Sequence, residues 1–174
     1  MTNQSINTLE QLLADLTKDA KEYYIKQKSL GSFEELNGTT IYSRFKPYLG
    51  AITNTLLQQH LNKEITLAIN IQRDDILVYE YRGKRAYAFG ALLFKLLNKE
   101  LIKRSYIIKY SDNMILIYLQ FYDKAKREPF KKEIEATLQL HLEKEWRVYP
   151  IKERPKLGNL MELPREYIEV PWRF

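Results

Sequence analysis

The sequence predicts an α+β protein, a mixed or antiparallel sheet flanked by helices. Three observations predict it. Apolar residues recur at helical spacing in some stretches, as in "AFGALLFKLLNKELI", and alternate with polar ones in others, as in "YIIKYS". Helix-like and strand-like stretches do not follow each other in the regular order of a parallel βαβ sheet. The chain has 174 residues, 45% hydrophobic and 13% aromatic, which excludes disorder and allows one domain with a real core.

The elements follow in chain order. Asn7 or Thr8 caps a first helix to about Lys28, with Leu9, Leu12, Leu13, Leu16, Ala20 and Tyr23/Tyr24 near helical spacing. The stretch "KSLGSFEELNGTT" reads as a loop, because Gly31, Asn37 and Gly38 are turn formers. Residues 1–40 are therefore expected as a helix and loop apart from the core or docked on a partner, and residues 41–174 as the α+β domain. A second helix is expected over Tyr48 to Leu61 and a strand over Ile65 to Gln72. "ILVYEYRGKRAYAF" reads as a hairpin turning at Arg82-Gly83-Lys84. The apolar helix "GALLFKLLNKELI" follows, then two strands joined at Asp112-Asn113, an amphipathic helix from Phe130 to Leu142, and the short strand "EWRVYP". Pro150, Pro155 and Gly158 open a loop before "LMELP".

Twenty-eight basic against 22 acidic residues give a net charge of +6, which favours anionic partners. The absence of cysteine removes disulfides, thiol nucleophiles, zinc ribbons and iron–sulfur clusters. No stretch reaches the ~18 apolar residues of a membrane span, and the start "MTNQSINTLE" has no signal-peptide pattern, so the expected location is the cytoplasm, with no membrane partner. His60 and His141 lie in expected helices without an HExxH partner and read as helix-face residues. No dinucleotide fingerprint, P-loop or nucleophile elbow is present. Arg82, Lys84 and Arg85 project from a turn, and Lys152, Arg154 and Lys156 occupy a loop after a strand carrying Trp146 and Arg147. Cations beside aromatics suit phosphate contact and base stacking. Solvated loop charge is the alternative.

"LAINIQ", "YIIKYSDNMILIYLQF" and "EWRVYPIKERPKLGNLMELP", in this order with an apolar helix between the first two, resemble the catalytic core of the archaeo-eukaryotic primase superfamily over about residues 45–170. The resemblance implies an RRM-like fold. In that family, paired aspartates on a first strand and a third on a later strand hold two metals for nucleotidyl transfer. Asn70 and Gln72 stand at the first pair, Tyr149 or a neighbour at the third aspartate, and Ile117 at the family's histidine. After "LP", Tyr167-Ile168 stands where the family often has a triphosphate-contacting histidine. Amides and an isoleucine cannot offset the repulsion of two dications, so the resemblance implies a degenerate site with no metal, no cofactor and no catalysis.

The pattern resembles the noncatalytic subunit of the heterotrimeric archaeal DNA primase. It implies an accessory role in RNA-primer synthesis during DNA replication, with the catalytic and large primase subunits, ATP or another initiating nucleotide, and single-stranded DNA template as partners. Arg73, Trp146 and Arg147 are the expected nucleotide contacts, guanidinium to triphosphate and indole to base, with a place in the core as the alternative for Trp146. Arg82, Lys84, Arg85, Lys152, Arg154 and Lys156 are the expected backbone contacts. Two alternatives stand: an active metal-dependent enzyme using Asp74 and Asp75 with Asp112 or Asp123, and a plain interaction module docking through the N-terminal helix.

Overall fold

The computed structural model describes residues 3–71, 73–97, 100–111, 113–143, 145–151 and 156–166. It is α+β, with antiparallel sheets flanked by helices. The chain divides into two compact units. The first comprises Met1–Gln72 and Pro150–Glu166, and the described part of the second is Arg73–Tyr149. The division thus falls after residue 72 and at residue 150, not after residue 40.

In the first unit, α1 (Asn3–Thr17) buries Leu9, Leu12, Leu13 and Leu16, the i, i+3, i+4, i+7 stripe of an amphipathic helix. Those leucines are covered within the chain, so they do not form a free docking face. The helix stops at Thr17 instead of Lys28. Beyond it, Tyr23, Tyr24 and Ile25 prefer extended backbone and form β1 (Glu22–Lys26). β1 is a central strand, antiparallel to β4 (Phe45–Leu49) on one side and β5 (Leu67–Asn70) on the other. The last strand, β10 (Leu160–Glu162), closes the order β10-β5-β1-β4.

The expected loop before β4 is a hairpin of β2 (Ser32–Leu36) and β3 (Thr39–Ser43). Asn37 (φ 51°) and Gly38 (φ 75°) form its two-residue turn, whose left-handed backbone matches strand twist and suits Asn-Gly. α2 (Asn54–Leu61) starts later than Tyr48, because Gly50 takes φ 121° and Thr53 caps the helix by accepting from Leu56 N at 3.3 Å. His60 is buried at its end. Its Nδ1 accepts from Leu67 N at 3.1 Å and its Nε2 donates to Leu163 O at 2.9 Å, joining α2 to the segments of β5 and β10. The Arg165 side chain donates to the carbonyls of His60 and Ile65. Burial and the Arg165 charge hold the imidazole below its ordinary pKa.

The second unit runs β6 (Ile76–Arg82), α3 (Ala86–Leu96), β7 (Ile102–Ser111), β8 (Met114–Phe121), α4 (Arg127–His141) and β9 (Trp146–Tyr149). Its sheet has the order β7-β8-β6-β9 with every neighbour antiparallel. This is the split βαββαβ arrangement, in which both helices cover one sheet face. Leu77, Tyr79 and Tyr81 of β6 and Ile115, Ile117 and Leu119 of β8 meet Phe89 and Leu93 of α3 and Phe130, Ile134 and Leu138 of α4. Truncating one of these to alanine costs about 2–5 kcal/mol.

The hairpin expected over 76–89 is half right: its first arm is β6, but its second is the start of α3. Ala86, Phe89, Gly90 and Leu93 are buried at helical spacing, which outweighs the short alternation Tyr87-Ala88-Phe89. No helix among the described residues is long and apolar enough to cross a membrane.

Candidate functional site

Position in β6 decides what each charged residue can do. At its entrance, Arg73 grips Asp75 with two bonds, Nε to Oδ1 at 2.9 Å and a terminal nitrogen to Oδ2 at 2.6 Å. Gln120 donates to the same carboxylate at 2.9 Å, and the buried Arg127 donates to Arg73 O at 3.1 Å. Burial raises the Asp75 pKa, but the hydrogen bonds and charge of its partners outweigh that and leave it below the usual carboxylate range. Arg73 is therefore a brace for this turn, not an open guanidinium at a cleft mouth as expected. Asp123 accepts from Ala125 N at 2.9 Å as the cap of the 3-10 turn Lys124–Lys126. Asp112 lies outside the described residues.

The exit of β6, about 20 Å away for a seven-residue strand, is different. Glu80 is only 5% exposed and faces away from the helices. Arg82 Nε donates to Glu80 Oε1 at 2.6 Å, and Arg147 stands directly across the β6–β9 ladder from Glu80. A carboxylate this buried needs cationic company, and it draws two arginines to one corner. The nearby Arg147 guanidinium favours the ionised form of the Tyr149 hydroxyl. Burial and Glu80 nonetheless raise the Tyr149 pKa.

The turn into α3 carries Lys84 and Arg85, both exposed, with the Arg85 amide against the Tyr81 hydroxyl on the helix side of the sheet. Three bonds hold that turn: Tyr81 Oη to Glu145 Oε2 at 2.6 Å, Arg85 N to Tyr81 Oη at 3.3 Å, and Gly83 N to Asn113 O at 2.7 Å. A Cβ at Gly83 would meet the Glu145 carboxylate and the Tyr81 hydroxyl, so a larger residue there would displace the Glu145 side chain. The exposed ring of Tyr87 follows in the first turn of α3. Of the predicted cations, Arg82 and Arg147 thus meet at Glu80, while Lys84 and Arg85 lie in the turn that follows β6. Glu80 was the missed residue, although a lone acid inside the apolar run "ILVYEYR" signals it.

The other predicted residues land elsewhere. Trp146 is 5% exposed and belongs to the helix-side core, so its indole is not open to a base as expected. Lys156 lies in the first unit, 3.3 Å from Glu22. Asn70 ends β5, and its Nδ2 donates to Lys156 O at 3.2 Å. An aspartate could not make that bond, so the amide has a structural reason to be there. Gln72, Lys152, Arg154 and Tyr167-Ile168 lie outside the described residues.

Of the positions expected to line a degenerate cleft, Ile117 and Tyr149 do not share a sheet face. Ile117 pairs with Tyr79 and points to the helix side, whereas Tyr149 pairs with Val78 and points to the opposite face. No groove on either face contains both. The strand that leads into the helix and hairpin is β6, not β5, so Asn70 lies outside the βαββαβ unit. The correction to Ile117 is one residue: its neighbours Leu116 and Tyr118 share the Tyr149 face, because side chains alternate along a strand.

No curated protein matches this chain. Residues 12–78 match the model of a domain of unknown function (DUF1882), a stretch of less than half the chain that runs from α1 to the first residues of β6.

Proposed function

We propose that the chain is a noncatalytic accessory protein of DNA primer synthesis that holds the phosphates of a nucleotide or a nucleic-acid strand at the Arg82–Arg147 corner. The observation that carries the reading is the placing of Arg82 and Arg147 about Glu80 at the exit of β6, with exposed Lys84 and Arg85 in the turn that follows. Guanidinium groups give phosphates paired, charge-assisted bonds, and here Glu80 holds Arg82 while Lys84 and Arg85 stay exposed. The primase resemblance supplies the setting: catalytic and large primase subunits as partners, an initiating nucleotide such as ATP, single-stranded template, and a cytoplasmic place of action.

The test is titration of the chain with labelled ATP and a labelled oligonucleotide over a range of salt. Affinity should fall steeply with salt. Replacing Lys84, Arg85 and Arg147 with glutamine should make the log–log slope shallower by about 0.7 for each phosphate no longer held. Binding that ignores these substitutions removes the corner from the reading. Primer synthesis by a primase complex that is indifferent to adding the chain removes the accessory role.

A further inference from the structure

We propose that the β2–β3 hairpin is a stacking platform for unpaired bases of a single-stranded nucleic acid. Phe33 and Tyr42 face each other across the hairpin, ring centroids 6.3 Å apart and planes at 41°, and are 64% and 66% exposed. Large aromatics normally go inside, so a neighbouring pair turned to solvent calls for a ligand. The hairpin holds them firmly. On its opposite face, Ile41 packs on the Tyr24 core and Glu34 accepts from Leu157 N at 2.7 Å.

Cations surround the base of the platform. Gly31, just before β2, lies so close to Arg44–Lys46 that a Cβ there would meet their backbone at 2.9–3.0 Å. Gln27 N donates to Arg44 O, which brings Lys28 to the same place. Lys28, Arg44 and Lys46 are exposed, and among the described residues none of them is in an ion pair. Glu35, hydrogen-bonded by Thr40, stands on the turn side of the rings. The arrangement has rings in front and positive charge at one end, which suits a strand whose bases stack while its phosphates pass the cations.

Size decides between this ligand and a protein. Two rings about two-thirds exposed offer roughly 200–300 Å², well below the ~800 Å² per partner of a stable protein interface. They are wide enough for one or two bases. The site lies on the first unit and shares no residue with the Arg82–Arg147 corner, so each is tested by its own substitutions.

The experiment is fluorescence anisotropy of the full chain with labelled oligothymidylate and with a duplex of equal length. The single strand should bind more tightly than the duplex. Phe33→Ala with Tyr42→Ala should weaken it about tenfold or more, Phe33→Tyr should retain binding, and glutamine at Lys28, Arg44 and Lys46 should reduce its salt dependence. These side chains are exposed, and unchanged melting curves will confirm that the variants fold. Equal affinity of the double alanine variant and the parent overturns the proposal, as does duplex binding as tight as single-strand binding. If Phe33 and Tyr42 instead drive self-association with no effect on the oligonucleotide, the platform belongs to a second copy and the proposal falls. Oligonucleotide binding lost only on replacing Lys84, Arg85 and Arg147 overturns this inference and leaves the proposed function standing.

Discussion

The two ends of β6 carry the same kind of residue to opposite outcomes. Arg73 at the entrance is 23% exposed and holds both oxygens of its carboxylate partner, whereas Arg82 at the exit is 64% exposed and meets its carboxylate through Nε. The entrance spends its charge on holding the chain, and the exit is where the proposed function puts a ligand. A cation's availability is set by the carboxylate geometry around it, not by its place in a basic stretch.

Breaking the entrance should show the largest effect. Asp75→Ala leaves Arg73 and Gln120 without their shared acceptor and should cost about 2–3 kcal/mol, read as a lower urea midpoint with no loss of anion binding. Gly83→Ala, at the exit, drives a methyl group toward Glu145 and should cost about 1 kcal/mol. Its ligand affinity should fall as well, because the turn that presents Lys84 and Arg85 shifts. Acid sharpens the comparison. The folded-state pKa of Asp75 is lowered, so its stabilisation is fully present above the unfolded value near 3.9 and fades as pH falls through the folded one. Urea midpoints of the parent and Asp75→Asn should therefore converge in acid and separate above about pH 5. Arg85→Ala should change stability least, by no more than about 0.5 kcal/mol, while weakening phosphate binding measurably.

The elements of the second unit were mostly legible because their periods are strong. β7, β8 and α4 stand close to where alternation and helical spacing place them. The first unit was not. Its strands are five residues or shorter, and Tyr23-Tyr24-Ile25 continues the helical spacing of α1 by coincidence until the chain needs a central strand. The Asn-Gly turn of the β2–β3 hairpin was a readable signal taken for a loop. For the site, the cations of the β6–α3 turn were found from sequence, but the carboxylate that holds Arg82 opposite Arg147 was not, since burial of Glu80 depends on the ladder that brings β9 beside β6. Trp146 and Arg73 failed for the same reason. A residue's type suggested a ligand, and its neighbours, distant in sequence, had already claimed it.

β10 joins β5 across roughly ninety residues of intervening chain. Leu163 N completes the bond to Leu67 O, and its own carbonyl receives the buried imidazole. A ribosome has therefore released all of β6 through β9 before the first sheet can gain its last strand. A chain cut short at residue 150 should keep the sequence of every other strand and yet leave β5 with a bare edge, open to pairing with whatever extended peptide comes near.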